Sequence, residues 1–450
     1  VLPLACTPKI PEAKETGIPV LPEPRETHYE KSNFVIDDQT ILLVTSQATE
    51  WTRRAALGIQ REVRERYGLD LPLVRIMDQP KMGPRKAIWV IEPRLVRPPD
   101  KTIGVSGLRV EEKMFHDSYF IRTDFTEVVI HGTDSAGTWY GAQSFLQLIR
   151  PPLPGTLFRK ARPITVPRLW IKDFPTDRVR PIPEALGLPS DPKAMEAFLA
   201  AAARYRLNAL SAKVIPSDTD TAAYVCEVAA KHYIRVLDKL PKSPECPYPF
   251  ALVWANHTAA SRYALAAVGE AHWGERIPDD ATFIERFARE TFGTDDAIEP
   301  LRLAKNHLGP WLGFVDPASL AGAVAKGVVP ETVREQVKTA RRAVRAIHAG
   351  LEDAPASPAV RDAFLAGADR ALCNVENSLA LLEAGRHYAK RRIARAVSVL
   401  RKRLPALEAL GGDTEKARKA FQRWIELFEA AAQVDQPPTL QELVDKGWRK

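Results

Sequence analysis

The chain has 450 residues, which at about 150 residues per domain suggests roughly three domains. Hydrophobic residues make up 45% and charged residues 27%, an ordinary globular balance, and no apolar run approaches the ~20 residues needed to span a bilayer. A net charge of +8 is thin over this length, so charge alone selects no partner.

The opening "VLPLAC" precedes a Pro- and Glu-rich stretch. A short apolar segment ending in Leu-Ala-Cys suggests a remnant of an export signal or tether over residues 1–19, with Cys6 as a lipid-attachment residue and a secreted or periplasmic location. Pro3 stands where that box wants an aliphatic residue, and a misplaced N-terminus is an equal reading. Cys6, Cys226, Cys246 and Cys373 are scattered, with no CxxC and no His/Cys cluster, so neither a structural zinc nor any other metal site is expected.

Residues 33–165 alternate between periods of two and 3.6. "TILLVTS" and "KAIWVIE" read as buried strands, and "ATEWTRRAALGIQREVRERYGL" as a surface helix. "DSYFIRTD" and "TEVVIHG" form a predicted hairpin. "HGTDSAGTWYGAQSFLQLIRP" then opens an amphipathic helix with Thr138, Gly141, Ala142, Phe145, Leu148 and Ile149 on one stripe, whose small residues let it lie close on a sheet. Its glycines fit neither GxGxxG nor GKS/GKT, so no nucleotide cofactor is expected.

Beyond residue 165 the pattern continues with a helix over "DPKAMEAFLAAAARYRL", a strand "NALSAKV", a helix over "TDTAAYVCEVAAKHY" and a strand "IRVLDKL". Residues 294–450 read as a C-terminal α-helical bundle. Val333, Val337, Ala340, Val344, Ile347 and Leu351 form one seam and Ile393, Val397, Leu400, Leu404 and Leu407 another, both facing a common core. Phe421, Trp424 and Phe428 mark a third helix, with breaks at "EDAPASP" and "LGGD". The cationic run "RHYAKRRIARAVSVLRKR" lies largely off its seam and lacks interleaved aromatics, so it reads as a solvated face and no nucleic-acid partner is expected.

Two stretches carry a family resemblance. Gly137, Tyr140, Gly141, Gln143, Gln147 and Leu148, followed by Asp173, Pro175 and Arg180, resemble the junction in glycoside hydrolase family 20 between an α/β domain and a (β/α)8 barrel. "FALVWANHTAASRYALAAVGEAHWGERIPDDATFIERFARETFG", with Asn256, Ser261, Ala264, Leu265, Val268 and Trp273 in register, is similar to the barrel exit of family 84. The resemblance implies an α/β hexosaminidase-type domain over 20–165 and a barrel domain over 166–293, acting on terminal N-acetylhexosamine of glycans. It implies Arg180 as a sugar-binding arginine, Lys213 where family 20 commonly has histidine, and Trp254 and Asn256 as pocket residues. The residues alone also allow a solvated loop arginine beside Arg178, a rim lysine, a core tryptophan and a helix-capping asparagine. Pro181 departs from the glycine usual after the arginine and removes a backbone donor.

A complete barrel takes at least ~200 residues, and the stretch from Pro167 to Phe250 is far shorter, so an incomplete barrel is expected. In both families an acid pair at the end of the fourth strand performs the chemistry, and that region is missing. Asp37-Asp38, Asp279-Asp280 and Asp295-Asp296 fall at turns or helix starts. Asp238, at the end of "IRVLD", is the single carboxylate in a suitable place. Two readings follow: a β-N-acetylhexosaminidase-like hydrolase, or a non-catalytic carbohydrate-binding relative. Open barrel strands also suggest a homo-oligomer that covers them.

Overall fold

The computed structural model describes residues 19–76, 86–92, 116–152, 163–241, 260–274, 279–308, 329–354, 356, 358–409 and 415–443. Cys6, Cys246, Trp254, Asn256 and the "LGGD" break lie outside them. The chain divides into two compact units, the first ending at Asp295 and the second starting at Asp296, apart from residues 355–357, which group with the first.

The first unit opens with β1 (Glu26–Ile36), β2 (Ile41–Thr45), α1 (Glu50–Tyr67), β3 (Leu73–Ile76), β4 (Ala87–Ile91), β5 (Tyr119–Thr123), β6 (Glu127–Gly132), α2 (Ser135–Leu148) and β7 (Ile164–Asp173). The strands form one sheet in the order β1-β7-β5-β6-β4-β2-β3. Its β6-β4-β2-β3 half is parallel and its β1-β7-β5-β6 half antiparallel. The expected β2, β4 and β5–β6 hairpin are present. β1 and β7 were not anticipated, because each finds its partner only across most of the domain.

Helix α1 starts where Thr49 accepts a hydrogen bond from the Thr52 amide and stops at Gly68, in the left-handed region at φ 67°. Its buried residues, Thr52, Ala55, Ala56, Ile59 and Val63, fall on one stripe, as the period of 3.6 requires. α2 differs. The expected stripe does face the sheet: a Cβ on Gly141 would meet Ile130 Cγ2 at 3.0 Å and Tyr119 Cβ at 3.2 Å. Yet Trp139, Tyr140, Leu146 and Gln147 are buried too, so the helix is enclosed rather than amphipathic, with α1 packed along another flank. Gly137 sits so close to β5 that a Cβ would lie 1.9 Å from the Ser118 carbonyl oxygen. Gly137→Ala should therefore lower unfolding free energy by about 1–3 kcal/mol, the usual range for overpacking, as read by chemical denaturation.

The rest of the unit runs through α3 (Pro192–Arg204), β8 (Ala209–Ser211), α4 (Thr219–Lys231), β9 (Arg235–Leu237), α5 (Ala260–Trp273) and α6 (Asp280–Phe292). β8 and β9 pair in parallel, and Pro181 makes a parallel bridge to Ala209, so the order is Pro181 segment, β8, β9. The missing proline donor is bypassed, since Ile182 N donates to Ala209 O at 2.8 Å. Among the described residues these short parallel pieces are all that corresponds to the expected barrel. β8 is shorter than the "NALSAKV" strand expected: Ser211 Oγ accepts the Lys213 amide and turns the chain into a 3-10 helix over Ala212–Val214.

In the second unit the described residues are helical: α7 (Ile298–Leu303), α8 (Glu331–Leu351), α9 (Pro358–Ala389), α10 (Ile393–Arg401), α11 (Leu404–Ala409) and α12 (Glu415–Ala431). Val337, Ala340, Val344, Ile347 and Leu351 of α8 are buried, and Val397, Leu400, Leu407, Phe421, Trp424 and Phe428 share one core. Both α8 and α10 pack on α9, a helix of 32 residues that the sequence pattern did not reveal. Its apolar residues lie on several sides, so no single stripe announces it. None of the described helices is long and apolar enough to cross a membrane.

Candidate functional site

The junction residues build a buried polar clamp. Asp173, fully buried at the end of β7, accepts hydrogen bonds from Arg206 Nη1 at 2.7 Å, Tyr119 Oη at 2.5 Å and Trp273 Nε1 at 3.0 Å. Arg206 reaches on to Ser144 Oγ at 2.8 Å, and the Gln147 amide grips both backbone groups of Leu21. Burial and the adjacent Asp173 carboxylate hold the Tyr119 phenol well above its ordinary range, so it acts here as a neutral donor. The motif helix is therefore scaffold, tying sheet, N-terminal strand and α5 together.

Arg180 belongs to the same clamp. Its side chain has no exposed surface. Nε donates to Arg206 O at 2.7 Å, Nη1 to Asp177 O at 2.7 Å and Nη2 to Asp117 Oδ2 at 2.8 Å, while the guanidinium lies 5.0 Å from the Tyr140 ring centroid and 4.8 Å from that of Trp273. Asn208, read as a structural strand residue, accepts from Arg180 N at 2.8 Å. In this conformation the Arg180 side chain is turned away from solvent, toward Asp117, Asp177 and Arg206.

The other described candidates do converge. Lys213 and Asp238 line one open cleft of about 510 Å³, together with Pro181, Ile182, Glu184 and Leu240. It sits just past the carboxyl ends of the Pro181 segment, β8 and β9, where parallel α/β folds place their sites. Glu184 was missed: it follows Pro-Ile-Pro in a single turn with no periodicity to mark it. Ser211 Oγ donates to Glu184 Oε1 at 2.6 Å, and Lys213 Nζ lies 3.8 Å from the same oxygen. The cleft thus presents two exposed carboxylates, one lysine close to a carboxylate, and walls of proline and aliphatic carbon. The other acid pairs do local work: Asp37 braces the turn to β2 through Thr40 and Gln39, Asp279 caps α6, and Asp295 pairs with Arg289. Among the described residues no group of three His, Cys, Asp or Glu side chains is arranged to hold a metal ion.

A domain of this make-up, ending in this junction, is the kind found in hexosaminidases. The family model for glycosyl hydrolase family 20, domain 2, matches residues 17–174. Over this domain the chain is similar to glycoside hydrolase family 20. Among solved structures it is similar to a family 20 β-N-acetylglucosaminidase, at 19% identity and TM-score 0.32 over 48% of this chain and 41% of that enzyme. It is similar to CpGH84B at 10% identity and TM-score 0.50, over 91% of this chain and 100% of that one. A family 20 exo β-N-acetylglucosaminidase from Vibrio harveyi, solved with N-acetylglucosamine, aligns at 13% identity and TM-score 0.35, over 74% and 53% of the two chains. The chain therefore spans less than half of the first of these enzymes. No curated protein matches it in sequence.

Proposed function

We propose that the chain is a shortened hexosaminidase relative that recognises an N-acetylhexosamine-type sugar at the cleft of Glu184, Lys213 and Asp238 without hydrolysing it. The supporting observation is the convergence of these three side chains at the carboxyl ends of adjacent parallel strands. Paired carboxylate oxygens accept from neighbouring sugar hydroxyls, and the lysine donates to a hydroxyl or acetamido oxygen. The rings of Pro181 and Pro183 and the Leu240 side chain offer apolar surface to a pyranose face.

Hydrolysis asks for more. One acid must protonate the leaving oxygen while a neighbour steadies the acetamido group. Glu184 and Asp238 are both exposed, whereas glycosidase general acids draw on apolar enclosure to keep their proton near neutral pH.

The expected result is no release of 4-nitrophenol from its N-acetyl-β-D-glucosaminide above a no-protein control, with millimolar N-acetylglucosamine detected by NMR line broadening. Asp238→Asn and Lys213→Ala should each weaken that binding by about tenfold, the value of one charge-assisted hydrogen bond. Turnover abolished by Asp238→Asn would make Asp238 catalytic and reverse the reading.

A further inference from the structure

The second unit carries a feature that the sugar cleft does not absorb. Arg386, Lys390, Arg391, Arg392 and Arg395 fall within the end of α9, the turn after it and the first turn of α10. Lys390, Arg391, Arg392 and Arg395 are exposed, and none of the five makes an ion pair among the described residues. Their neighbours in the same run are different: Arg401 pairs with Glu429, and Arg403 with Glu376 at 2.7 Å. Burial, with Arg395, Arg392 and Arg386 acting in the same direction, holds the His387 imidazole below its ordinary range. Glu383 is the acid on the other side of that balance, and it already lies 4.0 Å from Arg334.

The backbone adds an independent observation. α9 ends in a Schellman-type turn, with Arg391 N donating to Tyr388 O at 2.7 Å and Arg392 N to His387 O at 2.9 Å. The position that such a turn reserves for glycine is Arg391, held at φ 55°. A large side chain is thus kept where the backbone disfavours one. α10 then begins at Ile393 with no side chain capping it, so its first amides add to the positive field.

We propose that this turn binds an acidic polysaccharide, its sulfate or carboxylate groups gripped by Arg386, Lys390, Arg391, Arg392 and Arg395. Guanidinium groups suit such anions because they donate two parallel hydrogen bonds. The five cations lie within residues 386–395 around one turn, so they can meet neighbouring anions along one linear chain. Within residues 386–395 no aromatic ring is exposed of the kind that single-stranded nucleic acid stacks on, and no large apolar side chain of the kind that enters a lipid surface. The choice of polysaccharide over other polyanions rests further on the carbohydrate reading of the first unit; the presence of an anion site does not.

The test uses the full chain and the triple variant Arg391→Gly/Arg392→Gln/Arg395→Gln, with heparin, duplex DNA of matched charge and phosphatidylserine vesicles as probes. Arg391→Gly alone guards against misfolding, because glycine relieves the left-handed residue and should leave the melting temperature equal or higher. Heparin is expected to bind tightest, to weaken with salt and to lose about tenfold in affinity in the triple variant, as removal of three exposed charge pairs implies. Lys338→Gln/Arg345→Gln, which changes exposed cations on α8, should leave binding intact. Absent heparin binding, an equal loss in the α8 variant, or tighter binding to DNA or vesicles would overturn the proposal. Each of these results is independent of Asp238→Asn, which tests the cleft alone.

Discussion

Asp173→Ala is expected to destabilise the first unit by about 3–5 kcal/mol, the cost of leaving a buried partner charge uncompensated. The carboxylate and the Arg206 guanidinium both have no exposed surface, and the guanidinium lies 4.4 Å from the Trp273 ring centroid. Without the carboxylate, Arg206 keeps its Ser144 hydrogen bond but no counter-charge, while Tyr119 and Trp273 lose their acceptor. Asp173→Asn should cost less, because an amide oxygen still accepts. A double variant, Asp173→Asn/Arg206→Met, should recover much of the loss, since replacing a buried pair by neutral groups is often close to neutral. Urea denaturation followed by circular dichroism measures all three, and an Asp173→Ala loss under about 1 kcal/mol would show the clamp is not what holds the junction.

The clamp also shows what was legible beforehand. Gly137, Tyr140, Gly141 and Gln147, with Asp173 downstream, carried the resemblance that implied a junction, and the small size of Gly141 lets the helix approach Ile130 and Tyr119 closely. Strands β2, β4, β5 and β6 were legible because each is short, apolar and bounded by turns. The side-chain directions were not. Nothing in "TDRVRPIPE" says whether Arg180 points to solvent or folds under Tyr140 and Trp273, since Asp117 and Arg206, its partners, arrive from distant segments. Lys213 was placed on a strand, but the Ser211 hydroxyl ends that strand one residue before the turn. β1 was hidden by its polar first half and by the register irregularity between Tyr29 and Asn33.

Glu270→Gln should make stability less dependent on pH. Glu270 lies on α5 with no exposed surface; Oε1 accepts the Glu23 amide at 3.0 Å, and Oε2 has no hydrogen-bond partner. Burial pushes its carboxyl up from 4.5 to about 7, against the opposing pull of the Glu23 amide, Arg286 and Arg206. The sign follows from this direction. A raised pKa means the fold favours the protonated form, so this group's contribution is complete below pH 4.5 and is lost as pH rises through about 7. At about 1.4 kcal/mol per unit the loss is about 3 kcal/mol. Glutamine stays neutral throughout and can still accept from Glu23 N. Relative to the native chain, the variant should therefore gain about 3 kcal/mol between pH 4.5 and pH 8, whatever constant offset the amide's own buried donors impose. His131 and His232 complicate the absolute curve: burial holds both imidazoles near 4, so they favour the fold above pH 6.5 and oppose it as pH falls toward 4. They are common to both proteins and cancel in the difference. Chemical denaturation of the pair at pH 5, 6.5 and 8 isolates Glu270, and a difference that stays flat across that range would mean the carboxyl is ionised and solvated in the native fold.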